Sequence, residues 1–471
     1  MQNRPLSPLM KEVIVVVLLM SALTAYFFPI AFDPSPATHY TWVNFHFMSI
    51  LQNTTPENHF VGYSYVYQDA SGVYPHYFNR YSPLTNIVLH YAFSDLSLTA
   101  KIFAIKSLFT LVFVGNTVCV YLIARLSGLN NIVSLSLMLV LSSQYYFLYP
   151  KDMAHFDQMA LLGLFVQILL LMSGKKTLFF IFTIFALHLG RNFMPILTSF
   201  FYYSCCTIRE KNIKYVSLFA LHFISFILSF GYNVFVEMKV TGSSILDTSI
   251  LNTFQRRTGI LQDTLISSAD WTSYARIMLD RIGNGIVLKN NSSGEGLTRV
   301  IGISAVICIL SILVVEVHRL YRSCTFIAIV LPVITFFSLA KGLVFFHDYT
   351  LMWLIPMFTY VLSRGIVFGK EWIARKRWFK SGPASLKSLL LIVTGLYFVL
   401  ALHLDRSLKE EKYSNGVINK IQSEAHLVKN GARVCMKDIN HHALNALLPG
   451  AIYAQRDCDF ILSPAGISAE K

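Results

Sequence analysis

Charge is scarce in this chain: Asp, Glu, Lys and Arg make up 14% of its 471 residues, where soluble globular domains carry about 25%. The shortage excludes an ordinary water-soluble domain and places much of the chain in a medium where ionised side chains are costly. Acids are the rarer sign, 25 Asp and Glu against 39 Lys and Arg, for a formal net charge of +14. No CxxC, HExxH, Walker or GxGxxG pattern occurs, nor an internal repeat or a low-complexity tract. The familiar sequence signatures of zinc and nucleotide-phosphate sites are therefore missing.

What is abundant is apolar: 54% hydrophobic residues, with 37 Phe and 24 Tyr, and a mean hydropathy of +0.53. A helix needs about 20 apolar residues to cross a 30 Å hydrocarbon core, and residues 13–32 form an uncharged run of that length. It ends in FFPIAFDPSP rather than a small-residue cleavage site, so it reads as a retained span and not a secretory signal. Further apolar runs lie at 107–124, 132–149, 158–172, 177–190, 192–208, 215–236, 300–315, 325–340, 350–362 and 388–404. The fold class predicted is an all-α polytopic membrane protein with about 11 transmembrane helices.

The basic residues give that count an independent support. With eleven spans, the connections at 4–12, 125, 175–176, 209–214, 316–322 and 364–387 share one face and hold seventeen basic residues against four acidic ones. Nearly all of the chain's positive excess thus falls on one side, which the positive-inside rule makes cytoplasmic. The clusters are read as topology signals, and no nucleic-acid site is read from them. Lys175 and Lys176 before the 177–208 region and Arg209, Lys211 and Lys214 after it both belong inside, so that region crosses twice with His188–Asn192 as its outer turn. The N-terminus is then cytoplasmic and the C-terminus extracytoplasmic.

Three long segments face outward: 33–101, 237–299 and 405–471. The division expected is a transmembrane domain, 1–404, followed by an extracytoplasmic tail or small cap, 405–471, whose helix-like and strand-like stretches suggest a small α/β unit. Cys435 and Cys458 both lie in the tail and can pair in an oxidising compartment. The loop 33–101 is rich in Tyr, Phe, Trp and His, a composition suited to the membrane interface, and 39–52 reads as a short interfacial helix.

Ionisable residues gather at the outer ends of the spans. Asp33 follows the first span and directly precedes Pro34, a setting shared by helix terminators and by functional carboxylates. Lys151, Asp152, His155 and Asp157 crowd the approach to the fourth span. Asp152, His155 and Asp157 have the donor types for a divalent cation, while acids at a helix start are also favoured by its dipole. Asp157, entering a bundle of apolar helices, needs a partner there. Arg191 sits in the outer turn HLGRNFMP, and Lys341, His347, Asp348 and Tyr349 crowd the last outer turn.

In their order along the chain, Asp33, the RYSPL run Arg80–Leu84, Asp157, LGRNFMPIL and HDYTLMWLIPMF resemble the GT-C membrane glycosyltransferases. More narrowly they are similar to the group containing the dolichyl-phosphate-mannose protein mannosyltransferases and the lipid A aminoarabinose transferases. The resemblance covers roughly residues 1–365. It implies an inverting transfer of a sugar from a polyprenyl-phosphate carrier to a glycan, lipid or protein acceptor at the outer face of the membrane, with bacterial inner membrane as the setting. Asp33 matches the family's catalytic carboxylate.

The chemistry of that reaction asks for one base and several fixed cations, because negative charge grows on the leaving phosphate. Asp33 is the candidate base. Arg80, Lys151 and Arg191 are candidates to hold the phosphate, and Asp157, His347, Asp348 and Tyr349 to orient the carrier head or sugar. A divalent metal is optional and no cofactor is required, since Arg and Lys can neutralise the phosphate. Two rivals stand beside this reading. An envelope polysaccharide polymerase or ligase using diphosphate-linked donors would draw on Arg256, Arg257, Arg276 and Arg281 in the 237–299 loop. A lipid-linked sugar transporter would show matching broken helices in its two halves, and no such pair is evident.

Overall fold

The computed structural model describes residues 8–28, 39–56, 62–69, 72–77, 83–93, 95–153, 156–190, 193–242, 244–245, 271–287, 295–320, 323–340, 348–375, 384–412, 416–439, 444–463 and 465–469. Among these, the first half of the chain forms α1 (Pro8–Tyr26), α2 (His39–Gln52), the hairpin β1 (Tyr63–Asp69) and β2 (Gly72–Tyr77), α3 (Pro83–Phe93), α4 (Leu98–Leu126), α5 (Asn131–Ser142), the short α6 (Tyr145–Leu148) running into a 3₁₀ turn (Tyr149–Asp152), α7 (Phe156–Met172), α8 (Lys176–Ala186), α9 (Phe193–Glu210) and α10 (Lys214–Thr241). Then come α11 (Trp271–Val287), α12 (Glu295–Leu320), α13 (Cys324–Leu339), a 3₁₀ turn (Asp348–Leu354) leading into α14 (Ile355–Arg375), α15 (Ala384–Lys412), α16 (Gly416–Glu424), β3 (Arg433–Met436), α17 (Leu444–Leu447), β4 (Ile452–Tyr453), β5 (Phe460–Ser463) and β6 (Gly466–Ala469).

The described part of each of the eleven apolar runs lies mostly in helix, with 132–149 divided between α5 and α6 and 350–362 beginning in the 3₁₀ turn. Among the described residues, five helices are long and apolar enough to cross a membrane, six if α5 and the α6 segment, bent 80° at their break, make one span; others are apolar but shorter. The helix expected over 39–52 is present as α2. The 237–299 loop contains a helix that its mixed polarity hides, α11, packed along α12.

Local chemistry sets several of these boundaries. Ser97, Asn130 and Ser323 each accept a hydrogen bond from a backbone N–H in the first turn of α4, α5 and α13, satisfying donors that a helix start leaves open. Gly242 ends α10 with φ 66°, and its N–H reaches the Met238 carbonyl at 2.9 Å, a conformation that glycine adopts without steric cost.

The buried centre of the bundle is α4, which contacts α1, α5, α7 and α14. Polar side chains join helices where water is absent. Asn116 donates to Gln158 Oε1 at 2.9 Å, linking α4 to α7, and Gln167 donates to Thr183 Oγ1 at 2.8 Å, linking α7 to α8. Such bonds are worth on average about 0.6 kcal/mol inside membranes. At the opposite end of α4, Glu12 takes bonds from Tyr121 (2.8 Å) and Arg125 (3.1 Å), pinning α1. Helices α1, α10 and α15 leave most of their apolar surface uncovered, as lipid-facing helices do.

Backbones approach most closely where α11 meets α12. A Cβ on Gly302 would stand 2.0 Å from the Leu279 carbonyl oxygen and 3.2 Å from the Gly283 nitrogen, so only glycine fits this crossing. Gly302→Val is therefore expected to separate the two helices and destabilise the protein by about 1–3 kcal/mol or more. Thermal unfolding in nanodiscs checks this against Gly395→Val in α15, where nothing lies within 4 Å of an added Cβ; equal midpoints for the two variants would refute it.

Over one end of the bundle lies a six-stranded sheet of order β2-β1-β4-β3-β5-β6. Its inner pairs, β1 with β4, β4 with β3 and β3 with β5, are parallel, and both edge pairs are antiparallel. The hairpin from residues 63–77 and the strands from residues 433–469 thus build one sheet. Beneath it, Phe45, Phe47 and Leu51 of α2 and Ile102, Ile105 and Phe109 of α4 share a core with Ile421, Val434, Leu444 and Leu462. Cys435 and Cys458 are joined as a disulfide, with Cα atoms 5.6 Å apart. Helix α15 continues unbroken past residue 404 to Lys412.

Candidate functional site

Where the N-terminal part of α4 and the C-terminal part of α15 meet the 3₁₀ turn Tyr149–Asp152, five charged side chains are packed together. Asp152, fully buried, accepts from Lys409 at 2.5 Å and pairs with Lys106 at 3.4 Å and Lys151 at 3.9 Å. Asp405 is bonded to Lys151 and, at 3.1 Å, to Lys409 one turn along α15. Lys409 also donates to the Tyr149 carbonyl at 2.8 Å and lies 5.0 Å from the Tyr149 ring centroid, a cation–π distance. The five groups are three ammoniums and two carboxylates.

Desolvating such charges costs several kcal/mol per ion, and only close pairing offsets it. Burial alone would pull Lys409 below the ordinary lysine range. The carboxylates of Asp152 and Asp405 outweigh that, and the Lys409 ammonium, beyond the apolar window of α15, is held above it.

The cluster grips the end of the first helix. Lys106 Nζ lies 5.4 Å from the Phe28 ring centroid, Arg406 donates to the Tyr26 carbonyl at 2.8 Å, and the rings of Phe27 and His403 meet edge to face at 6.3 Å. Asp33 follows Phe28 by five residues in the chain.

Of the candidate residues named from sequence, Lys151 is in this cluster. Asp152, read there as a helix-start acid or weak metal donor, has both of its carboxylate oxygens directed at lysines. Asp157 is fully buried in the first turn of α7, beside the Asn116 to Gln158 link. Asp348 and Tyr349 open the 3₁₀ turn before α14, whose Trp353 is buried against Phe336 with ring centroids 6.2 Å apart. Asp33, Arg80, His155, Arg191 and His347 lie outside the described residues, as does Lys341. Among the described residues, no group of three His, Cys, Asp or Glu is placed to hold a metal ion.

Sequence reading missed Lys106, Asp405 and Lys409. The available signal was a lysine at the very edge of the 107–124 run, an expensive residue for that depth unless it is paired. Asp405 and Lys409 are spaced i, i+4, a helical pair, but they fell in the segment read as tail.

No protein-family model matches the sequence, and no match is found among curated proteins. Solved structures do match. The Archaeoglobus fulgidus oligosaccharyltransferase in its apo form aligns at a TM-score of 0.51 with 8% identity, covering 93% of this chain and 64% of that one. The same enzyme in complex with Zn and sulfate aligns at 0.52 with 9% identity, covering 94% and 62%. ArnT from Cupriavidus metallidurans in the apo state aligns at 0.42 with 10% identity, covering 96% and 87%. The chain spans less than two-thirds of the length of the oligosaccharyltransferase it matches. Likeness at these identities is one of fold alone, and the fold is that of the Archaeoglobus fulgidus oligosaccharyltransferase.

Proposed function

We propose that the chain is an inverting glycosyltransferase that moves a sugar from a polyprenyl-phosphate carrier to a glycan, lipid or protein acceptor at the outer face of a membrane. In this reading eleven spans cross a bacterial inner membrane with the N-terminus cytoplasmic, and the sheet stands on the extracytoplasmic side. Asp33 removes the acceptor hydroxyl proton as its oxygen attacks the anomeric carbon. The bond to the carrier phosphate breaks on the opposite side, and the carrier leaves as a phosphate whose growing charge needs fixed cations.

The observation that carries the proposal is the packing of the lysine cluster against Phe28. Five residues of chain reach at most about 18 Å, so Phe28, against which Lys106 packs, limits how far the candidate base can lie from the cluster. Arg80, Arg191 and His347 are proposed to complete the donor site, and Asp157, Asp348 and Tyr349 to support it. Preorganised ammoniums in a dry setting stabilise a departing phosphate without reorganising at the moment of reaction.

The test is transfer by the purified protein in nanodiscs. Offered mixed polyprenyl-phosphate sugars and an envelope extract from a strain lacking the gene, it is expected to consume a monophosphate-linked donor and release polyprenyl phosphate, read by mass spectrometry. Consumption of diphosphate-linked donors alone would move the protein to the polymerase or ligase class. Movement of lipid-linked sugar across the bilayer with no bond broken would make it a transporter.

A further inference from the structure

Away from the lysine cluster, a cavity lies between the helices and the sheet. It has a volume of 310 Å³ and is lined by Gln52, Asn53, Tyr63, His90, Lys101, Pro449 and Gly450, so the ends of α2 and α3, the first turn of α4, the start of β1 and the turn before β4 all contribute. Its volume is at the low end of the roughly 300–1,000 Å³ range of small-molecule pockets. That suits one sugar-sized group and not a lipid chain.

The walls are fixed. Asn53 Nδ2 donates to the carbonyls of Ser49 at 2.9 Å and Tyr63 at 2.8 Å, holding the end of α2 to β1. Gly450, at φ 82°, accepts a bond from the Gly431 N–H at 2.8 Å.

Its polar groups are set for a ligand. Lys101 is only 6% exposed, yet its ammonium has no hydrogen bond or ion pair among the described residues; the charge of Asp95, exposed ahead of α4, acts on it through space. A lysine that only held the fold would be paired as Lys106 and Lys409 are, whereas this ammonium is offered to the cavity. His90 directs Nδ1 to the Leu51 carbonyl at 2.8 Å, and among the described residues Nε2 is the ring nitrogen left for a ligand. Gln52 Oε1 is buried with no hydrogen-bond partner among the described residues. Among the described residues no carboxylate or thiol lines the space, and its cationic and amide groups favour an anion over a metal cation.

We propose that this cavity binds an acidic sugar residue, its carboxylate or phosphate facing Lys101 and His90 and its hydroxyls facing Gln52 and Tyr63. Assigning that residue to the acceptor rests on the transferase reading above; the binding itself does not.

Binding is measured on the full-length protein in nanodiscs with no donor present, by ligand-observed NMR, using glucuronate, glucose 6-phosphate, glucose and inorganic phosphate. At least one of the two acidic sugars should bind, and whichever binds tells carboxylate from phosphate. Glucose should bind at least tenfold more weakly. Lys101→Met is expected to weaken the acidic sugar roughly ten- to hundred-fold without lowering the melting temperature, while Lys101→Arg retains binding. Failure of both acidic sugars to bind, or unchanged binding in Lys101→Met, overturns the proposal. So does inorganic phosphate binding as tightly as glucose 6-phosphate with glucuronate excluded, which would leave a bare anion site. Transfer is followed separately: if the protein transfers no sugar but binds the acidic probe, the transferase reading falls and the site stands.

Discussion

Asp33→Asn is expected to lower sugar transfer by roughly a hundred- to ten-thousand-fold, the contribution of a positioned general base, while leaving the melting temperature and the donor affinity close to wild type. The substitution keeps shape and removes only the capacity to take a proton, so a purely structural Asp33 at the end of a helix would lose little rate. Initial rates with a saturating polyprenyl-phosphate sugar read the chemical step, and the donor KM separates loss of the base from loss of binding. Retention of more than a tenth of the activity would place the base elsewhere. Asp33→Glu serves as the companion variant. It keeps the carboxylate but lengthens the arm, so partial activity is expected, because a misplacement of about 1 Å can cost a hundredfold.

How much of this was legible in the sequence depended on the range of the physics involved. Membrane helices announce themselves locally, because each must satisfy its own backbone within one apolar run, and the described part of every apolar run read from sequence is largely helical. The capping residues Ser97, Asn130 and Ser323 are likewise local. Helix α11 was not legible: WTSYARIMLDRIGNGIV carries Arg276, Asp280 and Arg281, and only its packing on α12 shows why Gly302 must be small.

The sheet was harder still. Its parallel core pairs Val66 and Tyr67 with Ile452 and Tyr453, residues almost four hundred positions apart, and nothing in either segment names the other. The tail read as a separate small cap shares its core with α2 and α4. At the candidate site, sequence singled out the isolated acid and the outer lysine, Asp33 and Lys151. It could not show that Lys151 is bonded to Asp405, because ion pairing between distant segments depends on the assembled bundle. Arg80, Arg191 and His347 rest on the resemblance and on their place at the outer ends of spans.

The second large effect is expected at Asp405. Asp405→Ala removes the carboxylate that lies between Lys151 and Lys409, leaving those two ammoniums to share Asp152 with Lys106. Removing one partner of a buried pair costs about 3–5 kcal/mol, because the remaining charge stays desolvated and unmatched. A marked fall in the thermal midpoint in nanodiscs is the expected result. An unchanged midpoint would show that solvent or lipid headgroups reach the cluster and that its packing matters little. Replacing both members of the pair, Lys151→Met with Asp405→Leu, is expected to restore stability, since apolar residues of similar volume substitute for buried ion pairs without loss. Transfer then separates two roles. If Lys151 only anchors α15 to the Tyr149–Asp152 turn, the double variant regains activity together with stability. If Lys151 also faces the departing phosphate, the protein regains its midpoint but not its kcat, and the deficit persists at saturating donor. The second outcome is the one the transferase reading expects, because Lys151 shares its cluster with Lys106, which lies 5.4 Å from the Phe28 ring, five residues before the proposed base.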